Sequence, residues 1–304
     1  MSTSTTSTVA PSRSTGRRRS AVPAEAAGRT EYDRRVKLFN RICLGVLIAF
    51  ALLWLVPLAW ALDTALKPNA ETTKVTWAID NPTLAAFGRV FTDTDMVNWY
   101  VSSFITSTMT AVITVLTASM AAFALSRMRF RYKNVVFWFI LIGIMIPGQV
   151  LIVPQFREFD AVNMLNTFWA VVLPQAPTAI AVFIFKQFFD GLPQELDDAA
   201  KVDGASAFRV YRTIVMPLSR PVVAAVGIFI FVQTWNHLLW PLLVLSNPKL
   251  MTVPVGLATV QGNFGIRYAD TMATALLGAL PLIAVYLLFQ RHIVQGIAGT
   301  GLKG

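Results

Sequence analysis

Cysteine is almost missing: Cys43 stands alone in 304 residues, which excludes an internal disulfide and leaves no thiolate pair for a metal site. Histidine is nearly as scarce. His237 and His292 lie far apart, with no carboxylate or cysteine at ligand spacing, so neither a zinc site nor a nucleophilic triad can be built from local motifs. No G-x-x-x-x-G-K-[ST] stretch occurs, so any nucleotide hydrolysis must belong to another polypeptide. Charge is sparse at 14% against 55% apolar residues, too little for an ordinary soluble domain. These absences exclude the common catalytic designs and make the membrane the expected solvent. The net charge of +10 does not point to nucleic acid, because the basic residues lie between apolar runs and at the N-terminus, not along one amphipathic face.

What is present is length in apolar runs. About 20 apolar residues cross the hydrocarbon core at roughly 1.5 Å per residue, and six runs reach that length, at about 42–62, 99–125, 135–155, 167–189, 222–245 and 271–290. Residues 1–38 read as a disordered basic cytoplasmic tail rich in Ser, Thr, Ala and Arg, and 39–304 as the transmembrane domain. The first run is longer than a signal-peptide core and is taken as a retained span; Tyr32 to Arg41 reads as a basic interfacial helix leading into it. Prolines at 57, 147, 154, 174, 177, 241 and 281 fall in or beside the runs, so kinked helices around a cavity are expected. The fold class predicted is an all-α integral membrane protein, a six-transmembrane-helix bundle.

Lys and Arg set the orientation. Alternate sides of the six spans carry 20 and six of them, which by the positive-inside rule places both termini and the loop 190–221 in the cytoplasm of a multi-pass plasma-membrane protein. The second span is dense in Ser and Thr from Ser102 to Ser119, which favours close helix packing. Trp54, Trp60 and Trp99 read as interfacial anchors. The span cores lack Asp, Glu, Lys and Arg, which argues against an ion-coupled transporter, although that class, or a channel, stays as the alternative of different kind.

The polar interruption Leu192 to Pro221 has its own grammar. Pro193 suits a first helical turn, and Glu195, Asp197 and Asp198 place negative charge at the positive end of a helix dipole. Ala199 and Ala200 allow close approach. Gly204 ends this helix, Ser206 can cap a second, and Pro217 is expected to stop it. A plain helical connector fits the composition equally well.

The spacing resembles the cytoplasmic motif E-A-A-x-x-x-G, nine residues, I-x-L-P, of permeases in binding-protein-dependent ABC importers. Asp198-Ala199-Ala200, Gly204, Ile214 and Met216-Pro217 match it, with Asp for Glu at 198 and Met for Leu at 216; Asp203-Gly204-Ala205 has the common D-G-A form. Trp235-Asn236-His237-Leu238-Leu239-Trp240-Pro241-Leu242 is similar to a W-N-x-[FL]-x-x-P-L segment of carbohydrate-uptake permeases, and Gln290 to Gly304 to their terminus, with Thr300 and Gly301 where Gly and Ala are commoner. The resemblance is to the smaller, six-span, maltose-type subunit.

It implies a coupling helix in the loop that docks on an ATPase subunit, with Glu195, Asp197, Asp198, Ala199, Ala200, Asp203, Gly204, Ala205, Arg209, Arg212 and Pro217 as the coupling residues. It also implies a second homologous permease, an extracytoplasmic solute-binding protein, membrane lipid as solvent, and no cofactor in this chain, ATP and Mg being held by the ATPase. The solute implied is a sugar or sugar-like molecule; glycerol phosphate or another polar organic solute is the alternative. Gln149, Gln175, Gln233, Trp235, Asn236 and His237 are polar or aromatic groups in or near spans that could line its path.

Overall fold

Prolines and glycines cut the apolar runs into more helices than there are runs. The computed structural model describes the backbone of residues 24–72, 76–77, 81–263 and 267–301, with side chains for 36–72, 76–77, 81–260 and 267–290. Helix α1 covers Ala24–Ala65, α2 Ala85–Asp93, α3 Met96–Arg127, α4 Lys133–Ile142, α5 Ile152–Ala161, α6 Phe168–Gln175 and α7 Ala179–Asp190. After these come α8 Glu195–Val202, α9 Ala207–Val210, α10 Met216–Leu218, α11 Arg220–Trp235, α12 Leu239–Val244, α13 Val253–Asn263 and α14 Tyr268–Gly301. Among the described residues there is no strand. Among the same residues three helices are long and apolar enough to cross a membrane, Val36–Ala65, Met96–Arg127 and Tyr268–Gln290, and the number rises to six if each bent helix pair is one span.

Three of the expected spans are broken beside prolines, where kinks are expected, and two of the breaks change the bounds of the run. The third is broken at Gly143–Pro147, and its halves, Lys133–Met145 and Gly148–Ala161, meet at 89°. The fifth ends at Trp235, ten residues early. Asn236 caps α11, and Pro241, which has no N–H to offer His237, sits in the separate α12. Trp240 anchors that short helix by donating to the Ala170 carbonyl at 2.8 Å. The fourth span bends by 49° between α6 and α7, beside Pro174 and Pro177. The tail expected to be disordered through residue 38 is helical from Ala24 onward, where Ala, Glu and Arg favour a helix; residues 1–23 lie outside the described residues, as do the side chains of the terminal motif after Gln290.

The chain divides into two units at Pro57. In the first, Leu47, Trp54 and their apolar neighbours are exposed, as a lipid-facing helix requires. The second is built around α3, which packs most extensively against α7 and α11. Its hydroxyls do that packing: Ser102, Ser103, Thr106, Ser107, Thr110, Thr114 and Ser119 are buried. Several reach other helices. Thr114 donates to the Ala176 carbonyl at 2.9 Å, which the α6–α7 break leaves without its helical partner, and Ser103 Oγ accepts from Val253 N–H at 2.8 Å.

Two tryptophans expected at the membrane surface or along the path are core residues instead. Trp99 is buried, donates to the Pro248 carbonyl at 2.9 Å and lies against Gly256, where a Cβ would come within 2.2 Å of the indole. Glycine is needed there for close approach of α13 to α3. Trp235 is also buried and stacks on Phe231, with ring centroids 5.7 Å apart.

Candidate functional site

The stretch Leu192 to Pro221 folds as two short helical pieces joined by a sharp turn. Helix α8 opens with Glu195, Asp197 and Asp198 in its first turn and Lys201 in its last, matching the helix dipole at both ends. Pro193 precedes the helix, with Gln194 at the cap. The C-terminus closes by two reversed bonds, Gly204 N–H to Lys201 C=O at 3.0 Å and Ala205 N–H to Ala200 C=O at 2.9 Å. This is the Schellman arrangement, which requires a left-handed residue, and Gly204 supplies it at φ +72°. Ser206 then caps α9, accepting from the Arg209 N–H at 3.4 Å.

Pro217 does not stop the second piece as expected. A π-helical turn over Tyr211–Val215 precedes it, and the helix resumes through Leu218. The wider turn relieves the clash between the proline ring and the carbonyl of Thr213 four residues earlier. The chain then turns by 80° into α11, with Ser219 Oγ donating to the Val215 carbonyl at 2.6 Å.

Helical spacing divides α8 into two faces. Glu195, Asp198, Ala199 and Val202, at i, i+3, i+4 and i+7, are exposed; Asp197 and Ala200, three apart, are buried. Ala200 therefore packs in the core with Val210, Tyr211 and Val215 and is not open to a partner. Asp197 meets the α3 residue Arg127 at 2.9 Å, and is likewise unavailable to a partner. Asp203, Gly204, Arg209, Arg212 and Pro217 are exposed and Ala205 is half-buried. Asp198 and Lys201 pair with each other at 2.9 Å on the exposed side.

Two large apolar side chains that the motif does not single out stand open on this surface. Val202 is 88% exposed and Phe208 61% exposed, one on each helical piece, flanking the Gly204 turn. Phe208 falls at helical spacing with Tyr211, Ile214 and Val215, which marks it as apolar-face but not as exposed, and Val202 stands between Lys201 and Asp203. Tyr211 anchors the second piece: its hydroxyl lies 2.8 Å from Ser119 Oγ on α3, and its ring contacts Phe123.

The polar residues proposed for a solute path do not share one environment. Gln149, in a 3-10 turn after Pro147, and Gln233 and Asn236, at the end of α11, are exposed. Gln175 donates to the Val171 carbonyl at 2.9 Å and Asn236 to Val232 at 2.8 Å, so each amide is partly occupied within its own helix. His237 is half-buried and Trp235 is in the core. This leaves Gln149, Gln233 and Asn236 as the open polar groups.

At the N-terminal end of α14, Arg89 of α2 grips Asp270 through Nε at 3.0 Å and a terminal nitrogen at 2.5 Å, and this carboxylate raises the guanidinium above its already high range. The pair ties an amphipathic helix that apolar periodicity over whole spans does not reveal to the start of the last span.

Residues 113–299 match the family described as the inner membrane component of binding-protein-dependent transport systems. The arabinooligosaccharides transport system permease protein AraQ of Halalkalibacterium halodurans is 34% identical over 82% of this chain and 91% of its own length. The sulfoquinovosyl glycerol transport system permease protein SmoH of Agrobacterium fabrum is 33% identical over 82% and 89%. The sn-glycerol-3-phosphate transport system permease protein UgpE of Salmonella typhi is 37% identical over 66% and 72%. In fold, the chain is similar to a chain in the crystal structure of a bacterial ABC transporter involved in the import of the acidic polysaccharide alginate, with a TM-score of 0.74, 20% identity and coverage of 86% and 97%.

Proposed function

Since this chain belongs to the inner membrane components of binding-protein-dependent transport systems and is a permease subunit of an ABC importer, we propose that it carries a sugar or sugar-like solute and takes its energy from an ATPase docked on α8 and α9. The observation that carries the docking is the exposed surface around Gly204. Val202 and Phe208 offer apolar anchors, and Glu195, Asp198, Lys201, Arg209 and Arg212 surround them with both signs of charge. Buried apolar anchors supply most of the affinity in such interfaces, while rim charges set rate and register. On this reading ATP and Mg are bound by the ATPase. Both termini and the docking loop face the cytoplasm, as the excess of Lys and Arg on that side favours.

The solute path needs a second permease. Gln149, Gln233 and Asn236 lie on the open surface of this subunit, and polar side chains so placed need a water-filled cavity or a protein partner, not lipid. Amides of this kind suit hydroxyl-rich solutes. The sugar reading draws further support from the arabinooligosaccharide and sulfoquinovosyl glycerol permeases among the relatives. The UgpE proteins give glycerol phosphate as the second reading.

Calorimetry on the importer's own binding protein separates the two. Neutral oligosaccharides are expected to bind at least about tenfold more tightly than sn-glycerol 3-phosphate, a gap of about 1.4 kcal/mol. The reverse order would select the second reading.

A further inference from the structure

Arg127 is the last residue of α3, and its guanidinium is turned inward, the side chain only 6% exposed. Three acceptors from two other elements converge on it. One terminal nitrogen donates to the Asp197 carboxylate at 2.9 Å; the other donates to the carbonyls of Phe189 at 2.5 Å and Leu192 at 2.7 Å. Phe189 is in the last turn of α7, Leu192 lies in the connection beyond it, and Asp197 is in the first turn of α8. One planar side chain thus bonds both to the C-terminal end of α7 and to the start of α8, across the link between them.

Nearby contacts reinforce the same junction. Ser126 donates to Asp190 at 2.5 Å, Lys186 pairs with the other oxygen of Asp190 at 2.6 Å, and Lys133 of α4 donates to the Ser126 carbonyl at 2.9 Å. The second loop piece is held to α3 separately, through Tyr211 and Ser119. Helix α8 therefore has an exposed face toward a partner and a buried charged face fixed to the central helix of the bundle.

We propose that Arg127 and Asp197 form the positioning joint by which displacement of α8 is handed to α3, so that the two move as one body when the ATPase changes state. The inference rests on the docking reading above. A planar, multiply bonded guanidinium suits the role because it resists rotation as well as separation, which a single apolar contact does not.

Pulsed electron-spin distance measurement tests this on the assembled importer in a Cys43→Ser background. Labels are placed at Gln194→Cys on the cap of α8 and Met120→Cys on α3, both exposed positions. The native pair is expected to give one narrow distance distribution, unchanged between the nucleotide-free and ATP–vanadate states. Asp197→Asn removes the charge without changing shape and should broaden that distribution about twofold or make it depend on nucleotide, while the ATPase still co-purifies. Asp197→Glu should restore the narrow distribution. Arg127→Lys keeps the charge but puts a compact ammonium on a flexible stem in place of the rigid planar fork that spans the three acceptors, and should behave like Asp197→Asn. The proposal is overturned if the labels separate between states in the native pair, if Asp197→Asn leaves the distribution unchanged, or if both Asp197→Asn and Arg127→Lys abolish assembly, which would make the contact purely structural. Failure of the docking reading shows differently, as absence of the ATPase from the preparation with the native joint.

Discussion

Gly204→Trp is expected to leave the chain inserted in the membrane but to reduce the ATPase that co-purifies with it by more than about tenfold, whereas Gly204→Ala should lose far less. Two effects are separable at this position. The backbone is left-handed at φ +72°, so any L-residue costs about 1–2 kcal/mol. Space within the chain is no obstacle, because nothing lies within 4 Å of a Cβ built there. Ala therefore reports the backbone cost alone, and Asn, which tolerates this conformation better, should report less. Trp adds an indole to the surface between Val202 and Phe208, where the ATPase is proposed to sit. Quantifying the co-purified ATPase against inserted chain checks this. Equal losses for Ala and Trp would show that Gly204 matters only for the turn.

The second large effect lies at the C-terminal end of α1. Lys67 and Asp63 form an ion pair at 2.5 Å with side-chain exposures of 4% and 8%; the ammonium also donates to the Thr76 carbonyl and stands 5.8 Å over the Trp60 ring. Asp63→Ala leaves that ammonium buried with only a carbonyl and a ring for compensation, and should cost about 3–5 kcal/mol of stability. Asp63→Ala combined with Lys67→Met should recover most of the loss, because both charges are then replaced by apolar groups. Thermal unfolding of the purified subunit in detergent distinguishes the cases. A double variant no more stable than Asp63→Ala would mean that the loss comes from packing and not from the stranded charge.

These two sites differ in how well the sequence announces them. Gly204 was legible because a helix end, a cap at Ser206 and a motif spacing agree on it locally. The exposed stripe of α8 is also a local property, fixed by 3.6-residue spacing. What spacing could not supply was the partner of each face. Asp197 looked like its neighbours Glu195 and Asp198, and only the fold brings Arg127, 70 positions away, against it. Trp99 is illegible for the same reason: at a span end an indole reads as an interfacial anchor, but α13 returns over it and Gly256 leaves room for the contact. Hydropathy marks the six apolar runs and the prolines mark where they kink, but not how far: Pro57 and Pro281 lie inside continuous helices, whereas the chain breaks at Pro147 and before Pro241. The packing role of the α3 hydroxyls is legible in full, since small polar residues in an apolar helix have few places to go other than a helix interface.

The central claim is that this subunit moves solute with energy delivered by a separate ATPase through the α8–α9 surface. The most direct measurement is solute uptake into proteoliposomes containing the assembled importer, with binding protein and its bound solute outside and ATP or no nucleotide enclosed with the ATPase face. The account predicts uptake only with ATP, lost when Val202 and Phe208 are both changed to Asp. Uptake by this chain alone in ATP-free vesicles would contradict it.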